Sequence, residues 1–178
     1  MGKVCRLLGL GLLLGMLSAS AAWAVPTEII VRVKTKDAKF LGTNMGGALV
    51  TIKDAHTGEL LAKGRTAGST GSNERIMETP HRRGVPLSDE TSAKFLAVID
   101  LEEPRLLQVE AMGPLSGLQA ANRASNTQWV LPGKHITAGD GWMIELPGFA
   151  VKVLSPSPNA SVQSLPNTVP IRAYAALM

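Results

Sequence analysis

The stretch GGALVTIKDAHTGELLAKG, residues 46–64, decides the fold. Its first half alternates. Ala48, Val50 and Ile52 share one face while Thr51 and Lys53 take the other, the period of two that a half-buried strand requires. Asp54 then opens a turn. Asp is favoured at the start of such a turn, and Thr57-Gly58 supplies the reversal. The apolar run LLAKG returns after Glu59. The stretch therefore predicts an antiparallel hairpin.

The same alternation recurs on both sides. TEIIVRVK, from Thr27, puts Ile29, Val31 and Val33 on one face and Glu28, Arg32 and Lys34 on the other. AKFLAVIDL groups Phe95, Ala97, Ile99 and Leu101, taken as the inward set. In EEPRLLQVEAMG, Leu107, Val109 and Ala111 oppose Gln108 and Glu110 beyond a turn at Pro104. TQWVLPG, GDGWMIELPG and FAVKVLSP follow as further short strands, and no stretch sustains a helical period. Many short strands separated by Gly and Pro predict an all-β sandwich. LSGLQAANRAS, around Ala120, holds enough helix formers for one or two turns, so a short crossing helix or a loop fits equally.

The N-terminus bears on compartment. Lys3 and Arg6 precede the uncharged LLGLGLLLGML, and SASAAWA places Ala22 and Ala24 before a cut ahead of Val25. Small residues at those two positions suit a signal peptidase. Residues 7–24 form an uncharged run of 18, short of the about 20 apolar residues of a span. A cleaved signal over 1–24, an exported protein and no membrane span after cleavage are the expectation. Cleavage removes Cys5, the one cysteine, and leaves 154 residues. Lys3 and Arg6 go with it, leaving 16 basic against 14 acidic residues and a net charge of +2. With no disulfide, the core alone must hold the fold. The scattered charges lack the basic stripe of a nucleic-acid binder, and that class is excluded.

GGALVTIKDAHTGELLAKGRTAGSTG followed by SAKFLAVIDLEEPRLLQVEAMGP resembles the prealbumin-like domains, also called carboxypeptidase-regulatory-like. In these, G-A-x-V-x-V-x-D-x-x-T-G-E opens a hairpin, and a later strand pair reads F-x-A-x-I/L, then L-x-V-x-A-x-G. The resemblance covers about residues 27–113, with a long insertion from Ser69 to Ser92 as the departure. It implies a seven-stranded Greek-key sandwich, usually non-catalytic, carried by exported proteins as a binding, spacer or adhesion module. It brings no catalytic residues.

With the signal helix at 1–24, the sandwich is expected over 25–149. Beyond it, VLSPSPNASVQSLPNTVPIRAYAALM resembles the opening of an immunoglobulin-like domain: a strand, a Ser/Pro-rich bend, and a strand alternating Val169, Ile171, Ala173 and Ala175. Either 150–178 begins a truncated second domain, the reading preferred because the bend resembles an interdomain linker, or its strands complete the first sandwich.

Little chemistry is legible. GRTAGSTG, residues 64–71, lacks the Lys and the Ser/Thr pair of a phosphate-binding loop and follows an antiparallel hairpin, so it reads as a flexible connection. The charged segment RIMETPHRRGVPLSDE, residues 75–90, brings Met77 and His81 within four residues of each other. They are the weak metal candidates, because an exported protein without cysteine would hold copper through His and Met. His56 and His135 stand far off in sequence, and Met112 and Met143 sit in strand patterns that packing explains. Trp129 and Trp142 could form a sugar platform, but with aromatics at 4% of the chain both are expected in the core. Asn159-Ala160-Ser161 is a glycosylation sequon. No catalytic constellation and no cofactor site is read. The expectation is an exported, non-enzymatic binding or structural module with a protein or cell-surface partner; the alternative is a periplasmic copper or small-ligand binding protein.

Overall fold

The computed structural model describes residues 23–161 and 168–178. The signal sequence expected over 1–24 lies outside the described residues except for Trp23 and Ala24.

Among the described residues nine strands follow one another: β1 Val25–Thr35, β2 Leu49–Asp54, β3 Leu60–Arg65, β4 Phe95–Leu101, β5 Arg105–Gly113, β6 Asn122–Val130, β7 Trp142–Leu146, β8 Phe149–Ser155 and β9 Arg172–Leu177. One sheet has the order β4-β1-β7, with β1 antiparallel to β4 and parallel to β7. The second has the order β3-β2-β5-β6 and is antiparallel throughout. The chain passes between the sheets after β1, β3, β4 and β6. The fold is an all-β Greek-key sandwich.

Alternation builds the core as the sequence predicts. Ile29, Val31 and Val33 of β1, Ala97, Ile99 and Leu101 of β4, and Trp142, Ile144 and Leu146 of β7 face Val50 and Ile52 of β2 and Leu107, Val109 and Ala111 of β5. Each large aliphatic side chain removed from water in this layer contributes about 1.5–3 kcal/mol. Phe95 is half-buried at the sheet margin, its ring lying over Gly64 of β3, where a Cβ would collide with it. The predicted turn is also present: Asp54 Oδ1 accepts the N–H groups of His56 and Thr57 at 2.9 and 2.8 Å.

Two local expectations need correction. The connection at residues 64–71 is not loose. Ala67 exchanges backbone hydrogen bonds with Lys94, Ser69 N–H reaches Thr91 O at 2.8 Å, and Thr43 N–H reaches Gly68 O at 3.0 Å. Pairing with the start of β4 fixes it. The segment around Ala120 is neither wholly helix nor wholly loop. Leu118–Ala120 makes one 3-10 turn, and Asn122 already begins β6, paired through to Val130 with β5. The polar run NRASN hides a strand because β6 is the sheet edge, where little of it needs to be apolar.

β8 and β9 form a separate antiparallel pair. Ala150 and Met178 are nonetheless buried in the core cluster shared by the two sheets, and the Met178 carbonyl accepts Thr35 Oγ1 at 2.9 Å.

Candidate functional site

The insertion at 69–92 shapes the outer face of the three-stranded sheet. Alternation assigns Glu28, Arg32 and Lys34 to that face, yet Arg32 and Lys34 are buried. The cause is a second small apolar cluster in which Ile76 of the insertion packs with Phe40 and Ala93, rimmed by Leu87 and Met143. Met143 is the β7 partner of Arg32, so the insertion lies over the guanidinium. Asp140, just before β7, fastens it: Oδ1 accepts Ser88 N–H at 2.7 Å and Oδ2 accepts Leu87 N–H at 3.1 Å. Arg75 donates to Ser88 O at 2.8 Å. Asp89 Oδ1 caps its own turn by accepting the backbone and hydroxyl groups of Thr91 and Ser92.

The electrostatics follow from this packing. Burial lowers the Arg32 pKa, against the opposing charges of Asp140 and Asp89. Its Nε and Nη1 are buried without a hydrogen-bond partner among the described residues. Burial pushes Asp140 up, but the N–H groups of Ser88 and Leu87, the Ser88 hydroxyl and the Arg32 charge together hold it below the usual carboxylate range. Asp89 is held low mainly by the Thr91 and Ser92 side chains.

Met77 and His81 sit on the insertion. Residues 74–78 form one wide helical turn, and His81 Nε2 lies 2.9 Å from Ile76 O, so that nitrogen carries the proton and donates. Both residues line an open cavity of about 430 Å3 together with Lys34, Asp37 and Ala38. Met77 also lines a neighbouring cavity of about 210 Å3 with Met178. The other histidines stand apart in separate roles. His135 Nδ1 accepts Glu28 N–H at 3.0 Å, and the His56 ring lies 6.1 Å from that of Trp129. Met112 Sδ is 3.6 Å from Arg123 Nη2, and Met143 rims the small cluster. Among the described residues no three His, Cys, Asp or Glu converge as a metal-holding group.

Trp142 is buried as expected, but Trp129 is 62% exposed. It lies on the edge strand β6, directly across from Leu106, while its neighbour Val130 points into the core. The polar run before it was the available signal: an edge strand that buries little leaves its outward aromatic in water. Trp129 borders a cavity of about 330 Å3 with Asp54, His56, Glu103 and Arg105, a grouping that sequence reasoning missed. Its parts come from three turns and strands that are distant in sequence.

Comparison with protein-family models, with curated proteins and with solved structures returns no match. Among the described residues no helix is long and apolar enough to cross a membrane.

Proposed function

We propose that this chain is an exported, non-enzymatic module of prealbumin-like type that binds a protein partner through its β8–β9 hairpin. The observation that carries the reading is an apolar sheet face left largely exposed to water. Phe149, Val151 and Val153 share that face with their register partners Leu177, Ala175 and Ala173, and Phe149 is 64% exposed. The opposite face turns Ala150 into the core. Contiguous apolar surface of this kind is costly in water and marks interaction sites. The prealbumin-like assignment is supported by the hairpin motif at 47–59 and by seven strands in the two sheets, the number the resemblance implies. Export rests on the signal pattern before Val25.

The test is photo-crosslinking from Val151 in cells that export the chain, with exposed Glu78 as the control position. A discrete protein adduct at Val151, absent at Glu78 and lost with Phe149→Glu, supports the module reading. Absence of any adduct specific to Val151 overturns it.

A second reading, a periplasmic copper or small-ligand protein, has one observation in its favour: Met77 and His81 line one cavity, and Met77 lines the next with Met178.

A further inference from the structure

The Trp129 cavity stands at the end of the sandwich where the β2–β3 and β4–β5 turns meet, apart from the hairpin face and from the insertion. A large aromatic ring is left 62% exposed there, while the groups around it are positioned by hydrogen bonds and ion pairs. Asp54 is buried, and its Oδ1 is saturated by the His56 and Thr57 N–H groups. Its Oδ2 lies 3.8 Å from Arg105 Nη1, which also binds Glu59 Oε2 at 3.0 Å. The guanidinium is thereby fixed through one nitrogen, and its remaining donors have no partner among the described residues. The imidazole of His56 lies 6.1 Å from the indole and is inclined at 50° to it. Glu103, exposed on the far rim, accepts no hydrogen bond among the described residues.

We infer that this cavity binds a neutral carbohydrate, with a pyranose ring stacked on Trp129. The axial C–H groups of a pyranose carry partial positive charge and pack flat against the negative face of an indole. Its hydroxyls, each both donor and acceptor, need a rim offering both kinds of group. Arg105 and His56 supply donors and Glu103 supplies acceptors, while the Thr57 hydroxyl already accepts Glu59 N–H at 3.2 Å. A volume of about 330 Å3 is at the small end of the range for ligand sites. The local charge, three carboxylates against one guanidinium, selects against anions. Two of the three carboxylates are committed to the turn and to Arg105, so the guanidinium is already neutralised and attracts an anion poorly. A quaternary ammonium would bury an apolar surface but leave the rim donors unused. Loops clustered at one end of a rigid sandwich commonly carry binding sites.

The test uses the purified exported chain and three neutral hexasaccharides of different linkage: cellohexaose, maltohexaose and chitohexaose. Binding is read by calorimetry and by chemical-shift change of the Trp129 indole N–H. At least one sugar is expected to bind and shift that resonance while the Trp142 resonance stays in place. Trp129→Ala should weaken binding at least about tenfold, whereas Trp129→Phe, which keeps an aromatic face, should retain most of it. Trp129 is exposed, so the circular-dichroism melts of both variants should match the parent. No binding of any of the three sugars overturns the proposal, as does unchanged affinity in Trp129→Ala. Tetramethylammonium binding more tightly than every sugar also overturns it and assigns the cavity to cations.

Discussion

Asp140 Oδ1 accepts the backbone N–H of Ser88 at 2.7 Å, and through this contact the turn before β7 holds down the insertion that covers Arg32. The carboxylate has three tasks at once: it accepts two N–H groups with separate oxygens and faces a buried cation. Asn has the shape but one acceptor oxygen and no charge. Asp140→Asn is expected to destabilise the fold by about 1–3 kcal/mol, nearer the lower figure because Asp140 is only half-buried. Urea unfolding followed by circular dichroism measures this. A midpoint equal to the parent's would mean that the insertion is held by its apolar cluster alone.

Acid should act on the same fastening. Asp140 and Asp89 both have folded pKa values below their ordinary one. Depressed carboxylates contribute stability that is present above the unfolded pKa, about 3.9 for Asp, and is lost as pH falls through the folded value. Stability is therefore expected to hold from neutral pH down to about pH 4 and to fall below it. Asp89→Asn combined with Asp140→Asn should flatten that fall. Urea midpoints at a series of pH values give the curve, and an acid slope unchanged in the double variant would place the titrating groups elsewhere.

The inward face of β4 is tested most directly at Ile99, which is 4% exposed between the two sheets. Ile99→Ala is expected to cost about 2–5 kcal/mol, combining lost transfer energy with a residual cavity. Val98→Ala on the same strand should cost little, because Val98 is 59% exposed. Thermal melts of the two variants should separate clearly. Equal melting points would contradict the face assignment.

Residue pattern carried this much because a sheet face is written locally. Val50 and Ile52, or Ala97 and Ile99, announce their side by spacing alone. What covers the outer face is not local. Nothing in the neighbours of Arg32 says that Ile76, 44 residues later, will pack with Phe40 and shut the guanidinium from water. The Trp129 cavity was hidden for a related reason. His56, Glu103 and Trp129 belong to different turns and strands, and only the register of β2 and β6 on β5 brings them together. The Met77 and His81 pair was visible because the two residues lie four apart in sequence.

Gly68 shows how tightly the insertion leaves the sandwich. Its φ is +133°, and a Cβ there would lie 2.6 Å from Thr91 O and 2.8 Å from Ala93 Cα. Both neighbours are backbone that the Ser69–Ser92 pairing holds in place. Gly68→Ala should therefore destabilise by about 1–3 kcal/mol, in contrast to Gly58→Ala, where no atom lies within 4 Å and only the positive φ opposes the change. Chemical unfolding of the pair ranks them, and a Gly68 variant no worse than the Gly58 variant would show that the connection yields.

Copper titration separates the module from the copper reading. Copper needs several soft or imidazole donors held in one geometry. The donors near the insertion are His81, with Nε2 committed to Ile76 O, Met77 four residues before it, and Met178, buried in the core next to the second cavity. Binding copper would require His81 to offer Nδ1 and Met178 to leave its packing. The expected result of titrating the purified chain with Cu(I) and Cu(II) is no stoichiometric tight site, and no difference between the parent and Met77→Ala combined with His81→Ala. The paired variant should also melt with the parent, since both side chains are exposed. One equivalent bound tightly by the parent and lost in the paired variant would defeat the module reading. Repeating the titration with Met178→Leu, which keeps the core filled, would then show whether the third donor is the thioether at the end of β9.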